Sequence, residues 1–251
     1  MTERNIKLVI EYKGTNYAGW QIQTDQRTIQ GAITAAILKT TGKDINLIGA
    51  GRTDAGVHAL GQVANFTVDH ELEPSRYRAA LNFYLDDDIR VHSSEEVPLD
   101  FHARKHALQK RYRYLVSGEN SALYREYRWE YQPEVDIGML KEAAGLLVGI
   151  HDFTAFCVVN SRKENNECEI ASSKWFRIGP LLVYEIRGSR FLHHMVRSLV
   201  GAMVNVASID RDHHPENLTL EQFADIIHAP RDRRVVFTAP AQGLYLVSVT
   251  Y

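Results

Sequence analysis

Two β-type runs, residues 45–50 and 62–68, flank the stretch Gly51-Arg52-Thr53-Asp54-Ala55-Gly56-Val57-His58-Ala59, and this junction constrains the chain more than any other. Glycines at 51 and 56 permit backbone positions with φ > 0 and the close approach of a ligand. Such a loop can present Arg52 and Asp54 at the end of a sheet with little bulk around them. The charge on Arg52 would favour ionised Asp54. That is the state needed by a carboxylate acting as nucleophile or base at neutral pH. By spacing alone, the same residues also fit a polar β-turn carrying a surface ion pair.

Before this junction, residues 6–12 alternate and read as a strand, and residues 14–26 are a polar loop. Thr28 suits an N-cap, and Ile29, Ile33, Ala36 and Ile37 recur at helical spacing until Gly42. After the junction, Pro74 opens a helical stretch over residues 75–84, and a short strand follows at 89–92. The first hundred residues therefore run β-α-β-β-α-β, the order of a ferredoxin-like unit.

Residues 101–118 hold five Lys/Arg (Arg104, Lys105, Lys110, Arg111 and Arg113) and no acid. A strand over 108–116 would put Lys110, Tyr112, Tyr114 and Val116 on one face and Arg111 and Arg113 on the other. The arginine face would meet solvent or a phosphate backbone. Tyr127, Trp129 and Tyr131 alternate in a further strand. Asp136 suits the N-cap of a helix reaching Gly149, with Ile137, Leu140, Ala144, Leu147 and Val148 on one face. The polar segment 160–169 reads as a loop, and residues 170–178 and 181–187 as a hairpin turned at Gly179-Pro180. A helix over 190–207, a capping box at Thr219 and Gln222, and a last strand over 244–249 complete the chain. The second half thus repeats the β-α-β-β-α-β order with insertions. The expected class is α+β, with two ferredoxin-like (RRM-like) subdomains over residues 1–104 and 105–251 and joined antiparallel sheets.

The 251 residues can bury a sizeable core, and 45% hydrophobic with 24% charged residues is ordinary for a soluble globular protein. With 29 Lys+Arg against 31 Asp+Glu, nucleic-acid binding would come from local patches rather than global charge. No apolar run is long enough to span a bilayer. Met1-Thr2-Glu3-Arg4-Asn5 lacks the apolar core of a signal peptide, so the cytoplasm is the simplest location. Cys157 and Cys168 do not have redox or zinc spacing and read as free thiols. His102, His106, His193, His194, His213 and His214 lack the coherent spacing of a tetrahedral site, so no metal is expected.

Segments spread over the whole chain resemble one family in order. They are Glu11-Tyr12-Lys13-Gly14-Thr15-Asn16-Tyr17-Ala18-Gly19-Trp20-Gln21, the Asp54 stretch, Asp100-Phe101-His102-Ala103-Arg104 and Arg111-Tyr112-Arg113-Tyr114. His151-Asp152-Phe153-Thr154-Ala155-Phe156, Phe191-Leu192-His193-His194-Met195-Val196-Arg197 and Ala239-Pro240-Ala241-Gln242-Gly243-Leu244-Tyr245-Leu246 continue the series. Together they resemble the tRNA pseudouridine synthase A (TruA) family. The resemblance implies two α/β subdomains whose sheets meet around a central cleft. It implies isomerisation of uridines 38, 39 and 40 in the tRNA anticodon stem-loop, by a homodimer and without a cofactor. Asp54 matches the family's catalytic Asp. Arg52 and Arg197 match arginines that would pair with it and position the flipped nucleotide. Tyr112 matches the substrate-binding tyrosine, and Leu246 an apolar pocket wall. Arg104, Lys105, Arg111, Arg113, Arg187 and Arg190 are candidates for the RNA backbone.

Two other classes fit parts of the pattern. A non-catalytic RNA-binding module could use the same sheets, yet would not need Arg52, Asp54, Tyr112 and Arg197 together. An aspartate-nucleophile hydrolase or phosphotransferase would usually place a metal-binding carboxylate near the nucleophile, and the Asp54 loop carries none.

Overall fold

The computed structural model describes residues 3–209, 217–229 and 237–251. They fall into two compact units, Met1–Leu108 with Tyr245–Tyr251, and Gln109–Leu244.

In the first unit, strand β1 (Arg4–Tyr12) alternates as its sequence demands, burying Ile6, Leu8, Ile10 and Tyr12 on one face. Helix α1 (Ile29–Thr41) starts where the Thr28 side chain accepts the Gly31 N–H, and buries Ile29, Ile33, Ala36 and Ile37. It stops at Gly42, whose φ of 67° lets its N–H reach the Leu38 carbonyl. Strand β2 is only Ile48–Gly49, and strand β3 (His58–Val68) begins inside the predicted loop. A single turn from Pro74 leads into helix α2 (Tyr77–Tyr84), followed by strand β4 (Ile89–Val97). β1 pairs antiparallel with both β3 and β4, and β2 pairs antiparallel with β3. The order β4-β1-β3-β2 is the ferredoxin-like arrangement expected from the β-α-β-β-α-β run. The helices close the core; Tyr77 of α2 meets Phe66 of β3 edge-on at 5.6 Å. Each fully buried Ile or Leu contributes about 1.5–3 kcal/mol here. The final strand, β10 (Leu244–Thr250), lies parallel to the start of β3, with Tyr245 opposite His58 and Leu246 opposite Ala59.

The second unit contains β5 (Gln109–Ser117), β6 (Trp129–Glu130), α3 (Ile137–Gly145), β7 (Gly149–Asp152), β8 (Glu167–Ile178), β9 (Leu181–Gly188), α4 (Met195–Ala207) and α5 (Leu220–His228). β5, β9, β8 and β7 form an antiparallel run, and β6 adds in parallel on β5. The β8–β9 hairpin turns at Gly179-Pro180, with Gly179 at φ 55°. A positive φ followed by proline suits the twist of a two-residue hairpin. Asp136 caps α3 by accepting from Gly138 and Met139, and Thr219 and Gln222 form the expected capping box on α5. Tyr114, Trp175 and Tyr184 are buried, and the Trp175 indole N–H points at Met203 Sδ of α4 at 3.4 Å.

Several elements differ from the sequence expectation, these three among them. Helix α4 starts at Met195 rather than 190, because His194 adopts φ 65° and breaks the helical path. Strand β6 keeps only Trp129 and Glu130 of the Tyr127–Trp129–Tyr131 alternation. Helix α3 ends at Gly145, so Val148 lies beyond it and is exposed. The α+β class stands.

Candidate active site

The Asp54 loop joins β2 to β3 and is fastened at many points. Inside the unit, the Tyr12 hydroxyl lies 2.8 Å from Thr53 Oγ1. Gln62 Nε2 donates to the Gly51 carbonyl at 2.9 Å and reaches the Tyr12 hydroxyl at 3.4 Å. Tyr12, Gln62 and Thr53 are all buried. Burial pushes the Tyr12 phenol well above its ordinary range, so it stays neutral. Along the loop, the Trp20 N–H donates to the Thr53 carbonyl at 3.0 Å, and the Val57 N–H to the Asp54 carbonyl at 3.2 Å. Gly56, at φ 79°, donates to the Tyr17 carbonyl at 3.4 Å. Asp54 itself is half-buried.

The segment 13–27 straps this loop from outside. Only glycine fits at two points of contact: a Cβ on Gly14 would stand 2.0 Å from the Val57 carbonyl oxygen, and one on Gly19 (φ +89°) 2.6 Å from that of Thr53. The Gly14 N–H donates to His58 Nδ1 at 3.1 Å, which leaves the proton of a neutral His58 on Nε2. His58 is buried and stacks on Tyr245 of β10 at 4.8 Å. The strap is tied down again by Tyr17, whose hydroxyl donates to Asp88, and by Arg27, which reaches the Tyr17 hydroxyl at 3.0 Å and Asp86 at 2.7 Å. Burial, and then Asp88, raise the Tyr17 phenol far above its usual range.

Arg52 is exposed, and no salt bridge to its guanidinium is found among the described residues. The pairing with Asp54 expected from their spacing is therefore not formed by Arg52, whose neighbour Thr53 turns inward instead. Leu246 is fully buried beside Ala59, the last residue of the motif.

In the second unit, Tyr112 on β5 is buried and meets Phe191 edge-on at 5.0 Å. Arg197 on α4 is half-buried; its Nε donates to the Ala239 carbonyl at 2.8 Å, and its own carbonyl accepts the Ala239 N–H at 3.1 Å. The Tyr114 hydroxyl donates to the adjacent Pro240 carbonyl at 2.7 Å. This pins the segment that precedes β10.

The basic candidates separate. Arg104 and Lys105 are exposed, and their backbone N–H groups donate to His102 Nδ1 at 3.2 and 3.3 Å. Arg111, Arg113 and Arg187 gather around the buried Glu185 carboxylate at 4.0, 3.0 and 3.8 Å. Arg190 is exposed and donates to the Asn165 carbonyl at 2.9 Å. The His193 and His194 rings meet edge-on at 4.5 Å just before α4, whereas His213 and His214 lie outside the described residues. Sequence reading missed Gln62, Thr53 and Glu185. The one available signal was a polar Gln within the apolar β3 run; nothing in the sequence pairs it with Tyr12, fifty residues earlier.

The family model described as tRNA pseudouridine synthase matches residues 8–104 and 143–251, and so sets this ferredoxin-like unit and its glycine-framed loop in the pseudouridine synthase class. The chain belongs to the tRNA pseudouridine synthase family. It is 42% identical over 252 residues to the tRNA pseudouridine synthase A of Acetivibrio thermocellus, covering 99% of this chain and 100% of that protein. It is 40% identical over 245 residues to the protein of the same name from Brachyspira hyodysenteriae, covering 96% of each. With that of Bacillus pumilus it shares 38% identity over 251 residues, covering 98% of each.

Proposed function

We propose that this chain isomerises uridine to pseudouridine in tRNA with Asp54 as the catalytic carboxylate. The reaction breaks the N1–C1′ bond of a uridine and joins C5 to C1′. N1 ends protonated and C5 gives up its hydrogen, so the reaction is balanced without an external electron, phosphate or group donor. Addition of the carboxylate to C1′ and removal of the C2′ proton both begin from ionised Asp54. The target base has to leave the helical stack, which costs a few kcal/mol that contacts in the enzyme must repay. Tyr112 is assigned the face of that base, where a phenol can stack and relay the C5 proton. Arg197 is assigned the support of the carboxylate, Arg52 that of the flipped nucleotide, and Leu246 an apolar wall. Arg104, Lys105, Arg111, Arg113, Arg187 and Arg190 are assigned the RNA backbone. Uridines 38, 39 and 40 of the anticodon stem-loop are the proposed targets, a cytoplasmic homodimer the proposed working form.

The observation that supports this reading is the bracing of the Asp54 loop: Thr53 is held by both its hydroxyl and its carbonyl, while the carboxylate beside it remains half-buried. A turn that served only to reverse the chain would not need such fixing. No helix among the described residues is long and apolar enough to cross a membrane. The test is tritium release from tRNA labelled at uridine C5, by wild type and by Asp54→Asn, with RNA binding measured for both. Release lost in the variant while binding persists is the expected result. Equal release by the two proteins would sink the assignment of Asp54.

A further inference from the structure

Resting on the proposed role of Asp54, we infer that Tyr12 and Gln62 are positioning residues for this reaction, acting through Thr53 to fix the direction in which Asp54 leaves its loop. The coupling runs through the backbone. Gln62 on β3 holds the Gly51 carbonyl at 2.9 Å, at the entry to the loop. The same nitrogen reaches the Tyr12 hydroxyl at 3.4 Å, and that hydroxyl meets Thr53 Oγ1 at 2.8 Å. From the other side, the Trp20 N–H takes the Thr53 carbonyl at 3.0 Å. That carbonyl belongs to the peptide that carries the Asp54 nitrogen. With the Thr53 side chain and carbonyl both fixed, the Thr53–Asp54 peptide plane has little freedom left.

The chemistry of the anchor supports the inference. Gln62, Tyr12 and Thr53 are 0%, 2% and 7% exposed, so their polar groups are dehydrated. Phe and Val in place of Tyr12 and Thr53 would fill the space about as well, because replacing both partners of a buried hydrogen bond by isosteres is close to neutral for stability. What the isosteres would lose is direction. A reacting group displaced by about 1 Å can cost on the order of a hundredfold in rate. Stability and turnover should therefore separate when this chain of hydrogen bonds is removed.

The experiment compares wild type with Tyr12→Phe, Thr53→Val, Thr53→Ser, the double variant Tyr12→Phe/Thr53→Val, and Asp54→Asn. The single-turnover rate of tritium release at saturating enzyme, the tRNA Kd and the unfolding midpoint are measured for each. The expected result is a rate lower by about tenfold to a hundredfold in Tyr12→Phe, Thr53→Val and the double variant. Their Kd stays within about twofold of wild type, since the lost interaction is not one of ground-state binding. The double variant is at least as stable as the less stable single variant, and Thr53→Ser, which keeps the hydroxyl, restores most of the rate. Lowered unfolding midpoints with a wild-type rate per folded molecule would mean a structural role and overturn the inference. So would a raised Kd with an unchanged rate. If Asp54→Asn turns over as wild type, the reading of Asp54 fails and this inference with it. If Asp54→Asn is inactive while the Tyr12 and Thr53 variants are fast, only this inference fails.

Discussion

Glu185 Oε2 on β9 lies 3.0 Å from Arg113 Nη2 on β5, directly across the strand pair. Arg111 and Arg187 approach the same carboxylate at 4.0 and 3.8 Å. The stretch 101–118, free of acids along the chain, is therefore not free of them in space. The sheet register carries Glu185 of β9 into the middle of these arginines. Three cations share one buried anion, so the cluster keeps net positive charge available to a phosphate while its members are held apart by a common partner.

Replacing that anion exposes its work. Glu185→Gln leaves the arginines without their counter-charge and costs about 1–3 kcal/mol of unfolding free energy. Arg187→Ala, on the most exposed partner, costs under about 1 kcal/mol. Chemical denaturation of the two variants beside wild type checks the ranking. If the cluster meets the RNA backbone, Arg187→Ala also flattens the dependence of log Kd on log salt by about 0.7–0.9.

Two glycines with similar backbone angles should behave differently. Gly42 has φ 67° and open space around its missing Cβ, so Gly42→Ala costs about 1–2 kcal/mol of stability and leaves turnover per folded molecule intact. Gly19 has φ 89°, and a Cβ there would press on the Thr53 carbonyl at 2.6 Å. Gly19→Ala is thus expected to lose stability by a similar or larger amount and, in addition, at least about tenfold in single-turnover rate as the strap lifts from the loop. Equal turnover in the two variants would show that the strap is not coupled to the loop.

What the sequence made legible follows from how local each signal is. Thr28 and Gly42 bound α1, Asp136 opens α3, and Thr219 with Gln222 caps α5, because each cap is made within a few residues of itself. The first unit's topology was readable for the same reason: its strands and helices keep simple periods. Where a single backbone angle decides, the pattern misleads. The stretch from Arg190 into α4 reads as helical in the sequence, yet His194 turns left-handed and delays the helix to Met195. At the candidate site, the glycine frame of Asp54 fits a plain turn equally well, and the family resemblance singles the residue out. Its braces were not visible, since Tyr12, Trp20 and Gln62 reach Thr53 and Gly51 from distant stretches of chain. Nor could charge counting along the chain find Glu185, whose partners are set by strand register.

His102 should resist protonation. Burial lowers its pKa from the ordinary 6.5, and the charges of Lys105 and Arg104 add to the effect. Its Nδ1 also accepts two backbone N–H groups, which a protonated Nδ1 could not do. The sign follows: the unfolded chain takes up this proton at higher pH than the folded one. The stability that His102 contributes is therefore present above pH 6.5 and lost as pH falls through the lower folded value. An NMR titration of the His102 ring should find its midpoint below 6.5, and Lys105→Gln should move that midpoint upward. A midpoint unmoved by Lys105→Gln would remove Lys105 from the causes and leave the shift to burial, Arg104 and the two N–H donors.

The two thiols should be nearly inert while the protein is folded. Cys157 and Cys168 are 3% and 1% exposed. Burial raises both, and pushes Cys168 from 9.0 to about 11 against the opposing charge of Arg190. Alkylation needs the thiolate. A rise of this size lowers the thiolate population near pH 8 by about a hundredfold, before limited access slows the reaction further. Iodoacetamide at pH 8, followed by mass spectrometry, should leave Cys168 unlabelled in native buffer and label it rapidly in concentrated urea. The linkage has a definite direction, because the unfolded chain loses this proton first. The stability it contributes is present below pH 9.0 and is lost as pH rises through about 11. Arg190→Ala removes the cation that restrains the shift, so it should make native Cys168 slower still to react. Faster labelling in that variant would mean that Arg190 acts as a lid over the thiol, and that access rather than ionisation governs its chemistry.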